Sequence, residues 1–243
     1  LVRWMQEHPD CGACAPKLHS WQEREKFEYA GAAGGCLDLF GYPFCRGRVL
    51  KSLETDHGQY DSPADVFWAT GACLMVRSSL YRELGGLDNR FFAHMEEIDL
   101  CWRMQLAGYK VTVVPESMVY HVGGGTLPAT SPFKLYLNFR NNRMMLENNL
   151  AKTFGLSFVK ARRRIFLRKC LDMMSAAVYL LTLKTECFKS VLKAHRDAAG
   201  MVIRPTAEEV REYLETGRGE VRGMYRKWII LSRNIKEKDF YNI

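Results

Sequence analysis

Three carboxylates crowd one short stretch of this 243-residue chain: Glu96, Glu97 and Asp99, within FFAHMEEIDLCWR at 91–103. A carboxylate in a partly apolar cleft gains proton affinity and can act as a general base. The Phe91-Phe92-Ala93 run just before the cluster is expected to wall it from water. Upstream, Gly85-Gly86 permits close backbone approach. The same residues also have a purely structural reading. Acidic side chains at a helix start are favoured by the helix dipole and by unpaired N–H groups, and Asp99 can pair with Arg103 one turn later. A second polar centre, His121, precedes Gly123-Gly124-Gly125-Thr126, whose backbone N–H groups could face phosphate oxygens. A lone histidine at a strand end serves structure alone just as readily.

These side chains need a scaffold. Residues 1–8 read as a helix stopped by Pro9-Asp10, and 11–18 as a short strand. Residues 31–65 are rich in Gly, Pro and Asp and read as a long loop. Its Tyr42, Phe44, Arg46, Arg48, Gln59 and Tyr60 are candidates for a lid. Strands are expected at 66–69 and 72–77, then a short helix to Leu84 with Gly85-Gly86 as a left-handed stop. Residues 96–107 form a helix with Ile98, Cys101, Trp102 and Leu106 on one face. Strands follow at 110–114 and 118–121, with Pro115 as a break. A helix spans 132–150 with Pro at its start. One long or two consecutive amphipathic helices span 158–198. Thr206 caps another helix, with Glu208-Glu209 in its first turn, and an aromatic-basic helix is expected at 224–235. The class is mixed α/β, with a body at 1–150 and a basic helical extension at 151–243.

Charge supports that division. The net charge is +8, yet 1–150 carries 15 Lys+Arg against 17 Asp+Glu. The imbalance lies in 151–243, with 20 against 10. Such asymmetry suits an anionic partner. Lys160, Arg162, Arg163, Arg164, Arg168 and Lys169 beside Phe158, Ile165, Phe166 and Leu167 resemble an interfacial helix resting on anionic lipid; a solvated helical face is the plainer alternative. No nucleic-acid recognition motif is present. No apolar run is long enough to cross a bilayer. Cys11 and Cys14 form a C-x-x-C, but the spacing of Cys36 and Cys45 suits a zinc ribbon poorly. Small buried thiols in a reducing, cytoplasmic compartment are expected, with the chain soluble or peripheral on the inner membrane face.

Four motifs in order, Thr-Gly-Ala at 70–72, Gly-Gly-Leu-Asp at 85–88, Glu-Glu-x-Asp-Leu-x-x-Arg at 96–103 and Tyr-His-x-Gly-Gly-Gly-Thr at 120–126, resemble the second half of a family 2 glycosyltransferase. The likeness is to the bacterial rhamnosyltransferase-like branch and covers roughly 1–150, with the tail similar to that branch's C-terminal helices. It implies the acceptor half of a GT-A fold, followed by a helical C-terminal extension. It implies an inverting hexosyl or rhamnosyl transfer from a nucleotide sugar to a glycan or lipid-linked acceptor in cell-surface polysaccharide assembly. The family's motif places the base at Glu97. Here Glu replaces the usual Asp, which leaves Glu96 and Asp99 as rivals, with Asp99 and Arg103 suited to orienting the helix. Trp68, Thr70 and Gly71 match the acceptor-facing strand, where Trp68 could stack on a sugar ring or simply fill the core. In metal-dependent relatives the histidine matching His121 meets the metal or diphosphate, with Thr126 near the leaving group; Mn²⁺ or Mg²⁺ is the expected ion. No Asp-x-Asp and no G-x-G-x-x-G occurs, so the nucleotide-binding half is expected upstream of Leu1. The alternative is a non-catalytic carbohydrate- or membrane-binding module.

Overall fold

The computed structural model describes residues 1–50, 52–123, 131–153, 157–216 and 220–231. In chain order the elements are α1 (Val2–Glu7), β1 (Cys11–Ser20), β2 (Gly35–Asp38), β3 (Pro43–Cys45), β4 (Arg48–Val49), β5 (Ser52–Leu53), β6 (Ala64–Asp65), β7 (Met75–Val76), α2 (Ser78–Glu83), α3 (Glu96–Leu106), β8 (Lys110–His121), α4 (Pro132–Asn149), α5 (Phe158–Leu181), α6 (Thr185–Met201), α7 (Ala207–Glu215) and β9 (Met224–Tyr225). They group into two compact units that interleave along the chain. One comprises Leu1–Gly86, Leu100–Gly123 and Gly219–Ile243; the other comprises Leu87–Asp99 and Gly124–Arg218.

The first unit holds the strands. Its four-stranded sheet has the order β6-β8-β1-β7. β1 and β8 run parallel, and β7 and β6 flank them antiparallel. β1 is buried along nearly its whole length, which is why it reads as small residues without alternation. A Cβ on Gly12 would lie 2.8 Å from Leu80 and 2.9 Å from Tyr109. The two strands expected at 110–114 and 118–121 are one strand here. Pro115 does not end it: the ladder to β1 steps from Pro16–Val114 to Lys17–Met118, and the three residues skipped bulge out where proline lacks a donor. Lys17, inward and nearly unexposed, is neutralised by Asp56 at 2.8 Å and by Asp61.

The 31–65 segment is not the loop expected. It supplies β2 to β5 of a second sheet, order β5-β4-β3-β2-β9, and β6 of the first; these strands of two to four residues are too short to show a period. The lid reading of this segment is overturned as well. Phe44, Arg46, Arg48 and Tyr60 are buried. Arg46 lies over the Tyr60 ring at 4.8 Å and Arg48 over Tyr29 at 4.4 Å. Cation–π packing and the Tyr60 hydroxyl's bond to Glu54 at 3.2 Å make these interior residues. Residues 66–69 form no ladder beyond a single bridge between Gly35 and Trp68. The helix expected from 224 is instead β9, parallel to β2, followed by a 3₁₀ turn at Ile229–Leu231. The Leu100–Leu106 part of α3 packs Trp102 edge-on to Phe67 at 5.1 Å, and Gln105 Nε2 donates to Phe67 O at 3.0 Å.

In the second unit, α4 to α7 are helices close to where the apolar spacing puts them, with 158–198 divided into two at a left-handed Leu183. Thr206 and Glu209 form the reciprocal capping box at the start of α7. Two of the basic residues assigned to an outer face point inward. Arg168 is buried against Asp172 at 2.8 Å, and Lys169 reaches Glu147 at 2.8 Å.

Glu147 is the electrostatic knot of this unit. It also receives Arg143 at 2.8 Å, and Arg204. Burial alone would raise its carboxyl, but the Lys169, Arg143 and Arg204 donors hold it at about 2. A depressed carboxylate contributes stability above its unfolded value and loses it as pH falls through the folded one. Glu147→Gln is therefore expected to cost about 3 kcal/mol near neutrality by leaving inward cations unpaired. That deficit should shrink as pH falls from 4.5 toward about 2. Urea unfolding at several pH values measures both.

Candidate active site

The segment entering α3 is held in an improbable backbone conformation. Phe92, His94 and Met95 all have positive φ, at 65°, 68° and 72°. Phe92 centres a γ-turn, with φ 65°, ψ −60° and a 2.8 Å bond from Ala93 N to Phe91 O. Such turns are rare, and each strained non-glycine residue costs about 1–3 kcal/mol unless its surroundings over-determine it.

The over-determination comes from α4. The Asn141 amide, fully buried, donates toward the carbonyls of Phe91 at 2.9 Å, Ala93 at 2.8 Å and His94 at 2.7 Å. Two hydrogens serve three acceptors, so one is shared. Arg140 Nη2 adds bonds to Arg90 O at 3.0 Å and Phe91 O at 2.7 Å, and its Nε fixes the Asn141 amide at 2.9 Å. The expected apolar wall is half present: Phe91 is buried, but Phe92 is 74% exposed, turned outward by its own γ-turn. Sequence inspection missed the Arg140-Asn141 clamp. Its trace was there, as a run of polar residues that proves buried in α4.

The clamp presents Glu96 and Glu97 on the first turn of α3. Glu96 Oε2, Glu97 Oε2 and His94 Nε2 are buried atoms without a hydrogen-bond partner among the described residues. Three such atoms within four residues is abnormal, because buried polar groups are nearly always satisfied. Burial, and then the charge of Glu96, push the Glu97 carboxyl up to about 7, against the pull of backbone N–H groups of its own turn. Burial and Lys134 hold His94 below its ordinary value, so its ring is neutral near pH 7. Asp99 differs. It is buried and accepts from Asn149 Nδ2 at 2.7 Å.

The other singled-out residues lie in the first unit. Trp68 is only 4% exposed, donates to Cys36 O at 3.0 Å and packs on Gly35, where a Cβ would come 2.1 Å from its ring. Of the two readings open to it, sugar platform or core residue, it is the core residue. The Thr70 hydroxyl donates to Ala30 O and accepts from Ala72 N at 3.2 Å, and Gly71 is exposed. Arg103 donates to Leu84 O at 2.7 Å and Gly86 O at 2.8 Å, fastening the left-handed end of α2. His121 Nδ1 lies 3.5 Å from Glu28 Oε1. Thr126 lies outside the described residues. Among the described residues no three His, Cys, Asp or Glu side chains gather around a point where a metal could sit. His121 and Glu28 supply two donors only, which falls short of a protein-built metal site.

Comparison with known proteins agrees with this picture. A sequence profile of glycosyl transferase family group 2 matches residues 46–193. The N-acetylglucosaminyl-diphospho-decaprenol L-rhamnosyltransferase of Mycobacterium tuberculosis is 42% identical over 60 residues, covering 25% of this chain and 20% of the relative. Rhamnosyltransferase WbbL of Escherichia coli is 38% identical over 56 residues, covering 23% and 21%. The pre-mycofactocin glycosyltransferase of M. tuberculosis is 34% identical over 83 residues, covering 32% and 17%. The matched stretches thus span about a fifth of these relatives' own length. The mixed α/β architecture with its helical C-terminal region is consistent with a GT-A glycosyltransferase domain. With the profile covering more than half its length, this chain belongs to glycosyl transferase family group 2.

Proposed function

We propose that this chain carries the base-bearing, acceptor-side part of an inverting transferase. It moves a hexosyl or rhamnosyl unit from a nucleoside-diphosphate sugar to a glycan or lipid-linked acceptor in cell-surface polysaccharide assembly. The observation that carries this reading is the set of unsatisfied polar atoms on His94, Glu96 and Glu97, presented by a strained turn. Such strain persists at functional sites because the surroundings impose it. Glu97 is the base. The acceptor hydroxyl donates to its carboxylate and loses its proton there while the hydroxyl oxygen attacks the anomeric carbon. The bond from that carbon to the diphosphate oxygen breaks on the opposite face, which inverts the centre. Glu96 keeps the proton affinity of Glu97 high, and neutral His94 can hydrogen-bond a sugar hydroxyl. Asp99 anchors α3 to α4 through Asn149. Exposed Gly71 is the acceptor-facing position that the family resemblance implies, and Arg103 holds the turn at Gly86. A divalent metal would offset the diphosphate charge when bound, with His121 as one ligand and the rest from elsewhere.

The test is a transfer assay with a panel of nucleoside-diphosphate sugars, activated rhamnose first, and a diphospholipid-linked acceptor, with Mn²⁺ or Mg²⁺ present. A product of inverted anomeric configuration by NMR is expected. Neither transfer nor donor hydrolysis with any sugar would move the reading to a non-catalytic carbohydrate-binding module.

A further inference from the structure

The inward face of α5 is formed by Ala161, Arg168, Asp172 and Ala176, all buried. The opposite face is apolar for most of the helix. Val159, Phe166, Met174, Val178 and Leu181 are between 58% and 82% exposed, and at 3.6 residues per turn they lie on the side away from the buried four. Leu183, 86% exposed, extends the stripe past the helix end. Isolated exposed apolar side chains are ordinary, but a stripe from Phe166 to Leu181, along about 22 Å of helix, is not.

The charges say what covers it. Asp172 is the only carboxylate in α5, and it is buried against Arg168. The outward face therefore carries no negative charge. Lys160, Arg162 and Arg163 are exposed on its N-terminal turns. A second copy of the chain is a poor occupant. Parallel pairing would set these cations against one another, and antiparallel pairing would press them onto apolar turns, with no carboxylate to meet them either way. A surface with anionic headgroups over hydrocarbon satisfies both halves.

We infer that α5 lies in the plane of an anionic membrane. Phe166, Met174 and Leu181 enter the boundary of the acyl chains, and Lys160, Arg162 and Arg163 sit among the headgroups. The inward-facing Arg168 and Lys169 take no part. This placement is independent of the transferase chemistry, which it suits by holding the chain where a lipid-linked acceptor would be.

The test is co-sedimentation of the full chain with phosphatidylcholine vesicles, with and without phosphatidylglycerol. Binding that requires phosphatidylglycerol and weakens with salt is expected. Phe166→Glu and Met174→Glu are each expected to weaken it at least about tenfold. Both sites are exposed, so circular dichroism melting should be unchanged. No vesicle binding, binding without regard to anionic lipid, or binding untouched by either variant overturns the inference. A lipid-free dimer in sedimentation velocity that Phe166→Glu dissociates overturns it in favour of a second copy. No sugar nucleotide is present, so failure here leaves the transferase reading standing. Transfer to a water-soluble acceptor tests that reading separately.

Discussion

Replacing Glu97 by glutamine is expected to lower turnover about 10²–10⁴-fold, the usual contribution of a general base, while leaving the melting temperature near neutrality unchanged or higher. A base works only when ionised, and the Glu97 carboxyl is raised to about 7. Turnover of the unaltered protein should therefore climb with pH up to about 7 and then level. Stability runs the other way. A carboxyl raised above its unfolded value contributes stability that is fully present below 4.5 and lost as pH rises through about 7. The difference is about 3 kcal/mol, so the glutamine variant should gain in relative stability across that window. Glu96→Gln removes the neighbouring charge, and should shift the acid limb of the rate profile to lower pH while turnover on the plateau is largely kept. Steady-state kinetics with melting curves across pH read all of this. Full activity in Glu97→Gln would move the base to Glu96; an unmoved acid limb in Glu96→Gln would show that the two carboxylates do not interact.

Asn141→Ala is expected to damage both the stability and the turnover that the clamp supports. It removes the amide donor to the carbonyls of Phe91, Ala93 and His94, and leaves the strained turn held by Arg140 at Arg90 and Phe91. Leaving buried acceptors unmatched costs about 1–3 kcal/mol each. A loss of about 3 kcal/mol is expected for the set, since two hydrogens serve three acceptors. If the clamp positions Glu97, the Michaelis constant should hold while turnover falls, and the acid limb should drift from about 7 toward the ordinary carboxylate range. Asn141→Asp, nearly the same size but presenting oxygen to oxygen, should do worse. A stability loss with unchanged turnover and an unchanged pH profile would confine Asn141 to a structural role.

Much of this was legible in the residues. The helix of Glu96–Leu106, the left-handed stop at Gly85-Gly86, the capping box at Thr206 and the helical character of the tail each follow from local signals: periodicity, a glycine φ, a reciprocal hydrogen bond. Carboxylates on the first turn of α3 follow from the same local logic. What failed did so where non-local contacts overrule local pattern. The 31–65 segment reads as loop because its strands are shorter than a period. Its arginines read as a solvated lid because nothing nearby in sequence announces the aromatic rings they cover. Pro115 reads as a strand end because proline lacks a donor, yet β8 bulges past it under the pull of β1.

The opening cluster divides along the same line. Local signals alone put Glu96, Glu97 and Asp99 at one helix start after an apolar run, and the order of motifs around them points to the family. The family's motif favoured Glu97, but the residues alone left Glu96 and Asp99 as rivals, because rank depends on what each carboxylate touches. Only the tertiary structure gives Asp99 to Asn149, leaves Glu96 and Glu97 each with an unmatched oxygen, and buries Glu97 enough to raise its carboxyl to about 7. The clamp was beyond sequence reading for the same reason. Asn141 lies about fifty residues from the carbonyls it holds, and hydrogen bonds across that distance exist only once α4 has packed beside them.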